Sequence, residues 1–280
     1  MTDIKEIGFM CTINDQGIIV NESSIDKIDS KYKKAIDYVL ESILKSFSSK
    51  IHSIYVRGSL PRGLGIKGVS DLDLLVVTQT PLNNKELLEL QELENNGVHH
   101  FPFINGLEIG LYPLEDVVKT SHFHIIPFMI KTFSVCLYGD NLQTLLPEFK
   151  ADEKLANEHI VNIASQLQQA KDDLIGNNDE EDIKGCCTWI MKIIIRCGLA
   201  LVLMKENTYT RDLYPAYNLF SKHFPEKQEE MKSAINYAIN PSVNNKEILS
   251  FLRSFGEWIV NQSDDWLEDY NPQRLKQLPL

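Results

Sequence analysis

The chain has 280 residues, 43% of them hydrophobic and 24% charged, a composition that supports about two globular domains with cores of their own. Its 28 Lys and Arg against 39 Asp and Glu leave a net charge of −11. That balance argues against nucleic acid as a partner, because binding it needs many cations to displace phosphate counterions.

In chain order, Phe9 to Ile13 and Gly17 to Val20 flank Asn14-Asp15-Gln16 and predict a hairpin. Ser24 is placed to cap a helix running to about Ser48, with Ile28, Tyr32, Ala35, Ile36, Val39, Leu40 and Ile43 on one face. Ile51 to Val56 reads as a short strand, and the apolar run Leu72 to Val77 as a buried one. Lys85 to Glu94 predicts a helix, Leu107 to Tyr112 a third strand, and Asp140 to Leu146 the close of the unit. Beyond Asp152 helical periodicity takes over, over 152–175, 184–205, 212–223, 226–239 and 246–262. The acidic stretch 176–182 is expected as a solvated loop between the first two of these. The most apolar stretch, 190–204, is interrupted by Lys192 and Arg196 and is too short to span a bilayer, so no membrane is expected as a partner. The opening residues lack the order of a secretory leader. Five cysteines without Cys-x-x-Cys spacing read as reduced thiols, which points to a cytoplasmic location.

The chemistry concentrates between Val56 and Val76. The strand ending at Gly58-Ser59 lets backbone approach a ligand closely and offers amides and a hydroxyl to a phosphate. Asp71 and Asp73 sit at i and i+2 of the next strand, so both carboxylates face one way, ~7 Å apart along the chain. Two such acids repel unless a cation lies between them, and oxygen donors suit Mg²⁺ beside substrate phosphates. Glu108, inside an otherwise apolar strand, is a third acid, placed either to activate an acceptor hydroxyl or to complete a metal site. Arg62 either lines the triphosphate or decorates the loop. His122-x-His124 has no ligand partner at the spacing a zinc site needs.

Gly-Ser, a spacer of about ten residues, Asp-x-Asp and a later acid on a neighbouring strand together resemble the DNA polymerase β-like nucleotidyltransferase superfamily. Arg57-Gly58-Ser59, Asp71-Leu72-Asp73 and Glu108 match its elements as they stand. Val135 to Leu142 and Lys192 to Asp212 are more particularly similar to the aminoglycoside (streptomycin/spectinomycin) adenylyltransferases. The resemblance implies adenylyl transfer, with ATP as co-substrate. It implies Gly58 and Ser59 on the triphosphate, Asp71 and Asp73 on Mg²⁺, and Glu108 as base, substrate contact or third metal ligand. Lys192 and Arg196, one helical turn apart, are candidate phosphate contacts. Asp212 is a candidate contact for a cationic acceptor, or simply the cap of the next helix. Aliphatic Leu199, Leu201 and Val202 stand where a sugar-stacking aromatic would help an aminoglycoside, with Trp189 and Tyr209 as possible substitutes.

The expected architecture is an α/β nucleotidyltransferase domain, a mixed sheet with flanking helices, over residues 1–150. Residues 151–280 are expected to form an all-α helical bundle, as a substrate-binding or lid domain. The expected reaction is Mg²⁺-dependent transfer of a nucleoside monophosphate from a nucleoside triphosphate to a small-molecule hydroxyl. The alternatives are a transferase that modifies a protein partner, as an antitoxin does its toxin, a polymerase or second-messenger synthase acting on nucleotides, and a non-catalytic nucleotide sensor.

Overall fold

The computed structural model describes residues 5–280. The chain divides into two compact units, Val20–Phe149 and a second that joins Lys150–Leu280 to the stretch before Val20.

In Val20–Phe149 the predicted long helix begins later than Ser24 suggested. Ser24 instead caps a single 3-10 turn, Ile25–Lys27, after which Ile28 is extended. Asp29 then supplies a second cap, accepting from the Lys31 amide, and α1 runs Ser30–Phe47. Its face of Tyr32, Ala35, Ile36, Val39, Ile43 and Phe47 is buried. Four strands come next: β1 (Ile51–Arg57), β2 (Leu72–Thr78), β3 (Leu107–Pro113) and β4 (Ser134–Gly139). They form one mixed sheet in the order β3-β2-β1-β4, with β1 antiparallel to β2 and β4, and β2 parallel to β3. The parallel pair is bridged by α2 (Asn84–His100), longer than its apolar pattern predicts. It opens with a capping box in which Asn83 accepts the Lys85 and Glu86 amides while the Glu86 carboxylate takes the Asn83 amide. A single turn, α3 (Leu114–Val117), and α4 (Ile125–Phe133) complete the unit.

Strand alternation decides which side chains leave each face of this sheet. Ile54, Val56, Leu72, Leu74, Val76, Leu107 and Ile109 pack with the buried faces of α1 and α2. Residues of the other parity, including Arg57, Asp73 and Glu108, project from the opposite face.

The helical unit contains α5 (Glu153–Ile160), α6 (Ile163–Leu174), α7 (Glu180–Glu206), α8 (Leu213–His223), α9 (Gln228–Ile239), α10 (Asn245–Phe251) and α11 (Glu257–Tyr270). The segment predicted as one helix over 152–175 is broken at Val161–Asn162. The 246–262 helix extends to Tyr270 and widens into a π turn at Leu252–Gly256. The acidic stretch is not all loop: Asp179 accepts the Glu181 and Asp182 amides, so these acids form the first turn of α7, where the helix dipole favours them. By length and composition α7 is apolar enough to cross a membrane, longer than the 190–204 stretch suggested. Yet 67% of its most apolar window is buried within the protein, and it is the core helix of this unit. Leu199, Leu201 and Val202 belong to that core.

The stretch before Val20 joins the helical unit through backbone. The Cys11 amide donates to the Tyr209 carbonyl at 2.8 Å, and the Thr210 hydroxyl donates to the Phe9 carbonyl at 2.8 Å. Ile18 bridges Lys150. The predicted hairpin is one bridge, Ile13 with Ile19, across a turn in which the Asn14 side chain takes the Gln16 and Ile18 amides.

Candidate active site

The site builds up from the end of β1. Arg57 is the last strand residue, and Gly58 turns the chain at φ +87° into Ser59 and a 3-10 turn, Leu60–Arg62. Gly58 must be glycine on two counts. Its φ lies in the left-handed region, and a Cβ there would collide with the Asp73 carboxylate. Ser59 is half-buried, and its hydroxyl does not cap the turn it begins. Arg62 is buried, with its guanidinium 5.9 Å from the Phe133 ring, so it sits within the fold rather than decorating a loop.

The connection back to β2 is stitched to the segment before β3. Gly68 donates to the Phe103 carbonyl, Asn105 to that of Ser70 and Leu72 to that of Gly106. The Ser70 hydroxyl accepts the Ile66 amide at 2.9 Å. This fixes Asp71, whose Oδ1 accepts from Asn105 Nδ2 at 3.1 Å and lies where a Cβ on Gly106 would come within 2.9 Å.

Sheet register assembles the rest. Asp73 pairs with Arg57 on one side and Glu108 on the other, so three charged side chains share one rung and one face. Arg57 Nη2 lies 2.8 Å from Glu108 Oε1 and 3.5 Å from Asp73 Oδ1. Asp73 is largely enclosed and Glu108 largely open, their side chains 17% and 61% exposed. Burial, more than any other cause, pushes the Asp73 carboxyl up to about 6; Glu108 and Asp71 push the same way, and Arg57 opposes them. Beside the rung, the Tyr112 ring lies over Gly110, where a Cβ would come within 2.7 Å of it. Burial raises the Tyr112 phenol, with Glu108 adding to the rise and Arg57 opposing it.

Among the described residues no three His, Cys, Asp or Glu side chains already converge as a metal cluster. The donor set nevertheless fits a hard divalent cation. Three carboxylates, all oxygen donors, lie together at the ends of β2 and β3, and the Arg57 guanidinium pairs with two of them.

Gly58, Ser59, Arg62, Asp71, Asp73 and Glu108 therefore lie in one unit, around the ends of β1, β2 and β3. Lys192, Arg196 and Asp212 lie in the other. Lys192 and Arg196 are half-buried on α7. Asp212 does not cap α8 with its side chain; its Oδ2 accepts the Phe9 amide at 3.0 Å, and its own amide donates to the Thr210 hydroxyl. Tyr209 is buried, its hydroxyl 3.1 Å from His159 Nε2 with the two rings stacked. Burial, then Arg196 and Arg211, hold His159 down at about 3. From sequence Arg57 was placed in the motif without a role, and Tyr112 only ended the third strand. Counting in twos along β3 from Glu108 reaches Tyr112, whereas Arg57 is reached only through its cross-strand pairing with Asp73.

Residues 36–130 match the family model described as the nucleotidyltransferase domain. The sheet unit is a nucleotidyltransferase domain of the DNA polymerase β-like type, and the chain is an enzyme of the nucleotidyltransferase class. Its fold is similar to that of the spectinomycin adenyltransferase AAD(9) from Enterococcus faecialis, solved with ATP and spectinomycin. That likeness has a TM-score of 0.51 and 15% sequence identity, and covers 83% of this chain and 99% of the other. No curated protein matches the sequence.

Proposed function

We propose that the protein transfers AMP from ATP to a hydroxyl of a small molecule in a Mg²⁺-dependent reaction, with aminoglycoside-like compounds as the first acceptor class. The observation that carries this is the charged rung Arg57–Asp73–Glu108 next to Asp71 and the Gly58–Ser59 turn. Asp71 and Asp73, with Glu108 as third candidate, would hold Mg²⁺, which when bound supplies charge neutralisation to the phosphates. Ser59 and the backbone it begins receive the triphosphate, and the side chain missing from Gly58 keeps the approach to Asp73 clear. Glu108 is open enough to meet an acceptor hydroxyl and takes its proton. The acceptor oxygen bonds to the α-phosphorus as the bond to the β-phosphate oxygen breaks, and pyrophosphate leaves with that electron pair.

ATP and spectinomycin bound to the similar structure support a nucleotide with a small-molecule acceptor. The acceptor pocket is not expected to use Leu199, Leu201, Val202 or Tyr209, all buried. Five free cysteines suit a cytoplasmic location.

The test is pyrophosphate release from ATP, CTP, GTP and UTP with Mg²⁺ across an acceptor panel that includes spectinomycin and streptomycin. Acceptor-dependent release from ATP, lost in Asp71→Asn and Asp73→Asn, supports the reading. Release from none of the four by the folded protein, with no nucleotide bound in a calorimeter, sinks it.

A further inference from the structure

Arg57 precedes the glycine turn and has no assigned part in the transfer, yet it is the cation in closest contact with the acids. Its Nη2 reaches Glu108 at 2.8 Å and Asp73 at 3.5 Å from a side chain only 16% exposed. Register holds it there, because residues paired across neighbouring strands leave the sheet on the same side. Asp71 lies at the same strand ends but hydrogen-bonds to Asn105 instead. A guanidinium kept this far out of water, with one terminal nitrogen between two carboxylates, is a built ion pair rather than a solvated surface cation.

We propose that Arg57 is the resident counter-cation of the acid cluster, neutralising Glu108 and Asp73 in the nucleotide-free enzyme and competing with the divalent cation for both. The inference rests on the reading that Asp71 and Asp73, with Glu108 as third candidate, hold that cation. Coulomb's law in a partly enclosed site gives the pairing two consequences. The repulsion among the three acids is damped, so the acid cluster is stable without metal. The bare ion also binds more weakly than three unopposed carboxylates would bind it. Productive binding then favours the ion together with triphosphate, whose own oxygens supply the remaining ligands. Arg57 is thus a positioning residue that sets selectivity for the metal–nucleotide complex over the free metal.

The experiment uses Mn²⁺ alone as probe, with free Mn²⁺ monitored by electron paramagnetic resonance, on the full chain at pH 8. Wild type, Arg57→Met, Arg57→Lys and Asp73→Asn are compared, each checked for fold by circular dichroism. Arg57→Met is expected to bind Mn²⁺ about tenfold more tightly than wild type, since the competing charge is gone. Its metal-free melting temperature should fall and recover with saturating Mn²⁺. Arg57→Lys, which keeps the charge, should stay near wild type in both and serves as the arm that folds if Arg57→Met does not. Wild-type binding lost in Asp73→Asn but unchanged or weakened in Arg57→Met overturns the counter-cation. So does a tightening in Arg57→Lys that takes it far from wild type. Mn²⁺ bound by none of the proteins, or equally by Asp73→Asn, overturns the metal reading itself and this inference with it.

Discussion

Gly58 and Asp73 fit together as a gap and its filler: the Asp73 carboxylate occupies the space that any side chain at position 58 would take. Two strands are locked by this contact, because Gly58 closes β1 and Asp73 lies second in β2. The glycine therefore shapes the approach to the acids as well as turning the chain.

Gly58→Ala is expected to push Asp73 off its position and to strain a backbone held at φ +87°. Turnover should fall by about 10²-fold, the scale on which a misplacement of about 1 Å acts. Stability should drop by about 1–3 kcal/mol. Steady-state kinetics and urea unfolding of the same preparation check both.

Asp73→Asn separates chemistry from folding. Transfer should fall by roughly 10³-fold or more, in the range seen when a group acting on transition-state charge is removed. Stability should move the other way with pH. The folded-state pKa is raised from 3.8 to about 6, so between those values the folded state binds more protons than the unfolded one. Wild-type stability from this group is therefore lost as pH rises through that window, and the amide abolishes the loss. Denaturant unfolding at pH 4.5 and 7.5 reads the difference.

Glu158 gives the helical unit the same signature at higher pH. Burial alone raises its carboxyl from 4.5 to about 7. The folded state again holds the proton longer, so stability declines between about pH 4.5 and 7. Glu158→Gln should flatten this decline and stabilise the protein at pH 8 by on the order of 1–3 kcal/mol. Equal unfolding midpoints for the two proteins at pH 5 and pH 8 would contradict the assignment.

Asp212→Ala should loosen the stretch around Phe9. The carboxylate that takes the Phe9 amide is lost, while the Thr210 and Tyr209 contacts to Phe9 and Cys11 remain. A cost of about 1 kcal/mol is expected for one such hydrogen bond. Hydrogen exchange at the Phe9 amide should speed up well before that at Cys11.

Much of the sheet unit was legible because its signals are local. Leu72 to Val77 read as a buried strand, Gly58-Ser59 as the end of a strand, and Asp71 and Asp73 share a face by the period of two. Helix starts were less legible because competing caps sit close together. Ser24 and Asp29 both offer an oxygen, and the extended Ile28 between them decided for Asp29. The acids at 179–182 read as a loop because charge runs are usually solvated, yet the same charges suit a helix N-terminus.

The sequence alone determined the pair of acids and the helical character of residues beyond Asp152, which depend on residues within a few positions of one another, and it pointed to the class of the sheet unit through motif elements spread from Arg57 to Glu108. Only the tertiary structure decided that Arg57 bonds Glu108, fifty-one positions away, and that the stretch around Phe9 joins α8 rather than the sheet. Both depend on which strands and segments become neighbours. That is set by the summed burial of many side chains, which no single local motif encodes.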